Sequence, residues 1–292
     1  MELITFIKKK KKKKRGVLFL QTLPGPKKLS SIFLRLWESM NSKLVGTFQE
    51  WEVEIALKQM APMKVPGPDD GLPPLFYQHF WPTIDGDVTS SILFWLNTGT
   101  LPSPVNHTFI TLIPKVDSPE LVTELHPISL CNALYNVFSK VLPNRLKQFL
   151  PSLITENQST FAKDRLIFDN ILIAFETLHS MKNYKSRGDG FMPLKLDMSK
   201  AYDRVEWVYL ERLMSRMGFC DLWINLIMIC VKTVTYSILV NGEPQSLIQP
   251  TRGIMQGDLL SPFLFLLCTK GLHGLITKAT ADGDIRGFSI CR

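Results

Sequence analysis

The stretch that decides the fold is LKLDMSKAYDRVEW, residues 194–207. Apolar residues alternate up to Leu196, which is typical of a strand, and Asp197 then stands at the end of that strand. A helix-forming stretch follows, and an aromatic residue, Tyr202, lies five positions beyond the carboxylate. A carboxylate delivered by a strand end suits a site that binds metal ions for phosphoryl transfer.

Each of these residues also has a structural interpretation. Asp197 could be a carboxylate that caps the helix after it. Tyr202 could be a core aromatic, and the neighbouring Asp203 and Arg204 could be an exposed charged pair. Spacing alone leaves these alternatives open.

The positive charge of the chain is concentrated near its N-terminus. The net charge is +8, and Lys8–Lys14 with Arg15 supply eight positive charges, so the remaining basic residues only equal the 26 acidic ones in number. Such a run is typical of a disordered, solvated arm. It could also be a nuclear-localisation signal or a nucleic-acid patch, or the translation of an A-rich nucleotide stretch. It is the basis for expecting a nuclear or cytoplasmic location.

The apolar content indicates a globular protein without a membrane partner. Hydrophobic residues make up 45% of the 292 residues, and no apolar run approaches the roughly 18 residues that a membrane span needs. The five cysteines show no zinc-binding spacing, and four of them lie in apolar surroundings that are typical of small core residues, which suggests a reducing compartment.

The first half of the chain reads as helices around one strand. We predict an irregular stretch over residues 1–30, helix over 31–60, a Pro- and Gly-rich loop over 61–74, and helix over 76–95 with a break near Pro82. Apolar and polar residues alternate over residues 108–114, which predicts a strand that ends at Lys115. Residues 130–150 are typical of an amphipathic helix that Pro143 should kink or break.

The second half alternates helices and strands. Helices are predicted over 169–179, 205–217 and 222–231, the last capped by Asp221. Strands are predicted over 192–196 and 236–240, and Asn241-Gly242 favours a tight hairpin turn after the second. A helix should run from Ser261-Pro262 to about residue 279. The order of elements predicts an α+β fold.

Two further motifs are candidates for binding. Gln256-Gly257-Asp258 precedes the last helix and could be a binding loop or only a turn. Lys115 follows a strand and a proline, a place where most lysines are simply solvated.

The order of these motifs resembles one protein family. From about residue 60 to residue 292 the chain is similar to the reverse transcriptase domain of plant LINE-type (non-long-terminal-repeat) retrotransposons. Besides the Asp197 stretch, the strings that carry the resemblance are Pro66-Gly67-Pro68-Asp69, Phe76-Tyr77, Leu112-Ile113-Pro114-Lys115, Pro127-Ile128-Ser129-Leu130-Cys131-Asn132, Asn144-Arg145-Leu146, Glu156-Asn157-Gln158, Asp169-Asn170-Ile171-Leu172, Asn241-Gly242, Arg252-Gly253, Gln256-Gly257-Asp258 and Ser261-Pro262.

The resemblance implies a right-hand polymerase fold with a catalytic site. Residues 61–185 would form a fingers-like region, and residues 186–292 a partial palm. Asp197 would be the catalytic residue and a ligand of Mg²⁺, and Tyr202 would lie under the incoming sugar and exclude a 2′-hydroxyl. Lys115, Gln256 and Gly257 would bind the nucleotide. The partners would be an RNA template, a DNA primer and deoxynucleoside triphosphates.

The chain also departs from the pattern of this family. The aromatic-Ala-Asp-Asp block that should follow residues 285–287 is not found, and the one adjacent Asp pair, Asp69-Asp70, lies in an early loop. His126, Met255 and Lys270 stand where the family has an arginine, a basic and an acidic residue. We therefore expect a truncated, catalytically incomplete domain. The alternatives are a non-catalytic nucleic-acid binder and a functionless pseudogene product.

Overall fold

The computed structural model describes residues 2–8, 38–68, 71–154, 158, 166–183, 191–198 and 200–285. These residues belong to two compact units, each built from separate stretches of the chain. The first unit takes residues 1–35, 150–201 and 268–292, and the second takes residues 36–149 and 202–267. The division of the chain into a fingers-like region and a partial palm stays a prediction.

The described elements confirm the predicted α+β class. The strands are β1 (Glu2–Lys8), β2 (His107–Pro114), β3 (Leu125–Cys131), β4 (Phe191–Asp197), β5 (Thr235–Val240) and β6 (Glu243–Ile248). The helices are α1 (Glu38–Val45), α2 (Glu50–Lys58), α3 (Pro74–His79), α4 (Trp81–Thr98), α5 (Ala133–Lys147), α6 (Leu150–Leu153), α7 (Ile167–Asn183), α8 (Trp207–Met217), α9 (Asp221–Lys232) and α10 (Ser261–Ala281). Two short 3₁₀ helices cover Ser103–Asn106 and Val122–Glu124.

The second unit contains a four-stranded mixed sheet in the order β3-β2-β5-β6. Strands β2 and β3 form an antiparallel pair with Ile113 opposite His126. Strand β5 lies parallel to β2 and is followed by β6 through the predicted tight turn. Asn241 and Gly242 both have positive φ angles there (54° and 86°), as that turn requires.

Helix α5 is the centre of the second unit's core. Eleven of its fifteen residues are buried, and they include Tyr135 and Phe138. The helix continues through Pro143, so the predicted break is wrong. The lost backbone hydrogen bond costs about 3 kcal/mol, but burying several apolar side chains at about 1.5–3 kcal/mol each outweighs it.

A buried ion pair attaches α5 to the segment before it. The Arg145 guanidinium donates to both carboxylate oxygens of Glu52 at 2.6 Å, and each residue is only 8% exposed. It also donates to the carbonyls of Leu44, Gly46 and Thr47. The string Asn144-Arg145-Leu146, which carried no predicted role, thus holds the α1–α2 connection against α5.

The first unit pairs the N-terminal strand with the strand that ends at Asp197. Strands β1 and β4 are antiparallel, with Glu2 opposite Asp197 and Lys8 opposite Phe191. The prediction of irregular structure over residues 1–30 is therefore wrong for residues 2–8, where β-favouring Ile, Thr and Phe residues form a strand. Residues 9–30, with most of the basic run, lie outside the described part.

Two other element boundaries differ from the predictions. Residues 130 and 131 belong to strand β3 and not to the following helix, because Ile128 and Leu130 continue the pairing with β2. A short apolar run is compatible with both a helix and a strand, and here the pairing with β2 decides for the strand. Asp221 is the first residue of α9, and Cys220 occupies the cap position that was predicted for it.

Candidate functional site

Asp197 is the last residue of strand β4 in the first unit. The next helix, α8, begins ten residues later and has Glu206 at its N-cap. The interpretation of Asp197 as the cap of that helix is therefore wrong. Its side chain lies outside the part of the structure that is described, so its predicted role as a metal ligand stays a prediction.

Tyr202 lies in the second unit, in a turn that backbone hydrogen bonds hold in place. Its carbonyl accepts from the Ile254 amide at 3.0 Å, and the Val205 carbonyl accepts from the Gly253 amide at 2.7 Å. The Trp207 indole donates to the Gly253 carbonyl at 2.7 Å. Segment 252–254 thus fixes the conformation of the turn that carries the tyrosine.

Gly253 is required where it makes these contacts. Its φ angle is +93°, and an added Cβ would lie 3.2 Å from the Asp203 carbonyl oxygen. Both observations disfavour any residue with a side chain at this position.

The ring of Tyr202 is packed on one side and partly exposed. It stacks on the ring of Phe265 with centroids 5.2 Å apart and planes at 14°. Partial burial raises the pKa of the Tyr202 hydroxyl. The ring is therefore neither a fully buried core residue nor a freely rotating one, and it presents a fixed surface.

The Gln256-Gly257 turn is attached to strand β3. The Ser129 amide donates to the Gln256 carbonyl at 3.0 Å. Gly257 has φ +110°, and a Cβ there would lie 2.9 Å from the Ser129 carbonyl oxygen, so only glycine fits against the strand. The exposed Gln256 amide is 2.9 Å from Nε2 of His126. Gln256 and Gly257 are thus held beside His126.

Asp258 has a structural role that sequence reasoning missed. Its carboxylate is buried and accepts from Ser139 Oγ at 3.0 Å, from the Ser261 amide at 3.1 Å and from Ser261 Oγ at 3.2 Å. Burial raises the pKa of the carboxyl, while the hydrogen bond from Ser139 and the charge of Lys64 act in the opposite direction. An aspartate three residues before a serine at a helix start is the sequence signal that could have revealed this capping contact.

Lys115 lies in the exposed connection between β2 and β3. Its amide donates to the Glu124 carbonyl at 2.8 Å and its ammonium donates to the Thr123 carbonyl at 3.1 Å. Lys115 follows Pro114, the last residue of β2, and its side chain reaches the Thr123 carbonyl. Its role in binding a nucleotide stays a prediction.

The other residues singled out in the sequence are exposed, buried, or outside the described part of the chain. Asp203 and Arg204 are exposed, in agreement with a surface charged pair. Met255 is buried, with its sulfur 3.7 Å from Thr108 Oγ1 and 4.0 Å from Cys131 Sγ. A basic residue at Met255 would have to bury its charge in this environment. Asp69 and Asp70 lie outside the described residues.

No metal centre is recognisable in the described part of the chain. Among those residues, no group of three or more His, Cys, Asp or Glu side chains could hold a metal ion. The part of the chain that the structure describes therefore does not show which residues would hold Mg²⁺. The helices that the structure describes also include none that is long and apolar enough to cross a bilayer.

A comparison with protein families identifies the chain. Residues 113–291, more than half of its length, match the family described as reverse transcriptase (RNA-dependent DNA polymerase). The chain belongs to this family. The matched range contains Tyr202, Gln256 and Gly257, and it includes the strand end that carries Asp197.

Relatives of this reverse transcriptase include proteins of transposable elements. It is 30% identical over 236 residues to a transposon TX1 149 kDa protein of Xenopus laevis, covering 78% of this chain and 18% of that protein. It is 30% identical over 190 residues to a polyprotein from the type-1 retrotransposable element R2 of Popillia japonica, covering 61% of this chain and 26% of that protein. The chain thus spans about a quarter or less of the length of these relatives.

A solved structure is also similar. A chain of a partial Cas6-RT-Cas1–Cas2 complex matches 87% of this chain and 36% of its own length, with 15% identity and a TM-score of 0.44. That score is too low to support a conclusion.

Family membership confirms several predictions. The chain is a non-long-terminal-repeat retrotransposon reverse transcriptase domain with the polymerase fold of that family. Reverse transcriptases act on a nucleic-acid template and use a divalent metal ion. The plant origin, the truncation and the roles of individual site residues stay predictions.

Proposed function

We propose that the second unit of this reverse transcriptase domain binds the end of a DNA primer on an RNA template, together with the incoming deoxynucleotide. The observation that carries the proposal is the segment 252–257. At one end it holds the Tyr202 turn through Gly253 and Ile254, and at the other it lies on strand β3 through Gln256 and Gly257. One short segment therefore brings together three of the residues that the family resemblance assigns to the nucleotide.

The environment of Tyr202 supports a role in selecting the sugar. A side chain that rejects a 2′-hydroxyl by contact must not move when the wrong nucleotide enters. Stacking on Phe265 restrains the ring on one face, and the backbone bonds from Gly253 and Ile254 restrain the turn beneath it.

Lys115 and Gln256 are the two polar side chains that we propose for contacts with the nucleotide. Lys115 donates one of its three ammonium protons to Thr123, which leaves two for phosphate oxygens. The exposed Gln256 amide can both donate and accept hydrogen bonds. These properties suit contacts with a nucleotide.

We further propose that Asp197 is the ligand of Mg²⁺ at the catalytic centre. Nucleotidyl transfer with two metal ions about 4 Å apart requires several carboxylate oxygens, whereas the 292 residues contain this motif carboxylate without an Asp-Asp block after it. By themselves these residues should therefore bind nucleic acid without extending a primer. A nuclear or cytoplasmic location is likewise a proposal, and it rests on the basic run and the type of element.

Equilibrium binding tests the proposal. The chain should bind an RNA–DNA hybrid with a recessed 3′ end more tightly than a DNA duplex of the same sequence. On a terminated primer, the correct deoxynucleotide should slow dissociation more than the matching ribonucleotide does. Tyr202→Val should remove that difference, whereas Phe94→Val, at an exposed aromatic on α4, should keep it. Equal affinity for both duplexes, with no effect of either nucleotide, would contradict the proposal.

Primer extension tests the proposed lack of catalysis. With Mg²⁺, an RNA template and labelled deoxynucleotides, the 292 residues alone should give no product above background. Extension that Asp197→Ala abolishes would show that this carboxylate suffices in its present surroundings and would overturn that part of the proposal.

A further inference from the structure

Helix α5 carries a row of polar side chains next to the Gln256-Gly257 turn. Asn136, Lys140 and Lys147 are separated by four and seven residues, spacings that place them along one side of an α-helix. From the first to the last the row extends about 16 Å at 1.5 Å per residue. We name Lys64, Lys140 and Lys147 the lysine row, because Lys64 joins it at Asn136.

Lys64 connects the row to the candidate site. It comes from the loop after α2, and its ammonium donates to Asn136 Oδ1 at 2.8 Å and to the Gly257 carbonyl at 3.2 Å. The row therefore starts at the turn that is proposed to contact the nucleotide and continues along α5 away from it.

The lysine row differs in its partners from other basic residues of the second unit. In the described part of the chain, none of the three lysines makes an ion pair with a carboxylate, although Lys58, Arg145 and Lys232 do. The nearby carboxylate of Asp258 is buried and already accepts from Ser139 and Ser261.

The charges of Lys147 and Lys64 repel the ammonium group of Lys140. The pKa of Lys140 is lowered by partial burial first, and then by the charges of Lys147 and Lys64. The ammonium of Lys147 lies 5.4 Å from the centre of the Phe263 ring. Like charges held together in the free protein raise its energy, and a bound polyanion would relieve the repulsion.

We propose that the lysine row binds successive phosphates of the nucleic-acid strand that runs from the Gln256-Gly257 turn along α5. The proposal rests on the proposed function, because it assumes that the turn contacts the nucleotide. A strand carries one phosphate per about 3.4 Å of duplex axis, so a row of about 16 Å runs past several nucleotides. That length favours a polynucleotide backbone over a single nucleoside triphosphate.

The test replaces the two lysines that have no structural contact with the turn. Lys140→Gln/Lys147→Gln should weaken binding of the RNA–DNA hybrid about 25- to 60-fold at about 0.1 M salt, which follows from a salt exponent of about 0.7–0.9 per phosphate contact. The slope of log K against log salt should fall by about 1.4–1.8. Fluorescence anisotropy over a salt series measures both quantities.

Two matched variants test whether binding depends on the position of the two positive charges, and not only on their number or on the change of side chain. Lys58→Gln/Lys232→Gln removes the same two charges from exposed sites that face carboxylates, and it should change affinity and slope little. Lys140→Arg/Lys147→Arg should keep the affinity within about threefold, because guanidinium groups also bind phosphate. All variants retain the basic run, so its contribution to binding is common to them.

The outcomes distinguish this proposal from the proposed function. If the unmodified chain binds the hybrid and the DNA duplex equally and neither nucleotide has an effect, the proposed function fails. If it binds the hybrid and the Lys140→Gln/Lys147→Gln variant matches the control in affinity and slope, the lysine row is not a strand-binding surface. Normal hybrid binding with a lost effect of the deoxynucleotide would show that the row binds a triphosphate, and would also overturn the proposal.

Discussion

Removing the Arg145 guanidinium should destabilise the second unit far more than removing an exposed guanidinium. Arg145→Met keeps a long side chain but deletes two hydrogen bonds to Glu52 and three to backbone carbonyls. It also leaves the Glu52 carboxylate buried without its partner. Breaking a buried ion pair in this way costs about 3–5 kcal/mol.

The expected change is large enough to measure by thermal unfolding. In a domain the size of the second unit, 1 kcal/mol shifts Tm by about 2–4 °C, so Arg145→Met should lower Tm by about 6–20 °C. Glu52→Gln/Arg145→Met should lose less than Arg145→Met alone, because no buried charge then remains unpaired. Circular dichroism melts of the three proteins give the comparison.

The exposed pair of Arg252 and Glu206 is the control. Its side chains are 61% and 60% exposed and 3.4 Å apart. Such pairs contribute about 0–1 kcal/mol, so Arg252→Met should shift Tm by at most about 4 °C. If Arg145→Met shifts Tm no more than Arg252→Met does, the buried pair does not hold α1, α2 and α5 together as argued.

Two further perturbations test the site. Gly253→Ala forces a left-handed φ on a residue with a Cβ and brings that Cβ against Asp203. Urea unfolding should therefore show a loss of about 1–3 kcal/mol in the free energy of unfolding. The control Gly71→Ala also places alanine at a left-handed φ, but the space around it is open, so it should lose less stability. Burial raises the pKa of Asp258 in the folded chain, so the stability from its neutral form is present below about pH 4 and is lost as pH rises through the folded pKa. The side chain of the Asp258→Asn variant cannot ionise. As the pH rises from about pH 3 to about pH 7, the Tm of this variant should therefore increase relative to the Tm of the unmodified chain. Parallel pH curves for the two proteins would contradict the assignment.

Local signals in the sequence predicted most of the described elements. The Asn241-Gly242 hairpin, the break before Pro82 and the strand ending at Lys115 all follow from the conformations that a few adjacent residues allow. The helix through Pro143 did not follow, because its stability comes from packing against other parts of the chain. The same holds for strand β1, whose partner β4 lies far along the sequence.

The candidate site was predicted only as separate residues. The family resemblance selected Tyr202, Gln256 and Gly257, but no sequence pattern indicated that one segment holds all three. That arrangement depends on hydrogen bonds from Gly253 to Val205 and from Ser129 to Gln256, between residues far apart in the chain. Backbone groups carry these bonds, so side-chain identity gives little sign of them.

The surroundings of Asp258 argue against a role for this residue as a metal ligand. It follows Gln256-Gly257 directly, and from sequence it could be taken for a second metal ligand. However, its oxygens accept from Ser139 and Ser261, and burial favours its neutral form. The cavity beside it measures about 10 Å³, which is about the space of one water molecule and far less than a hydrated metal with a triphosphate needs. Asp258 therefore fixes the Gln256-Gly257 turn against α5 and the start of α10, so it adds no carboxylate to the one that we propose for Mg²⁺, Asp197.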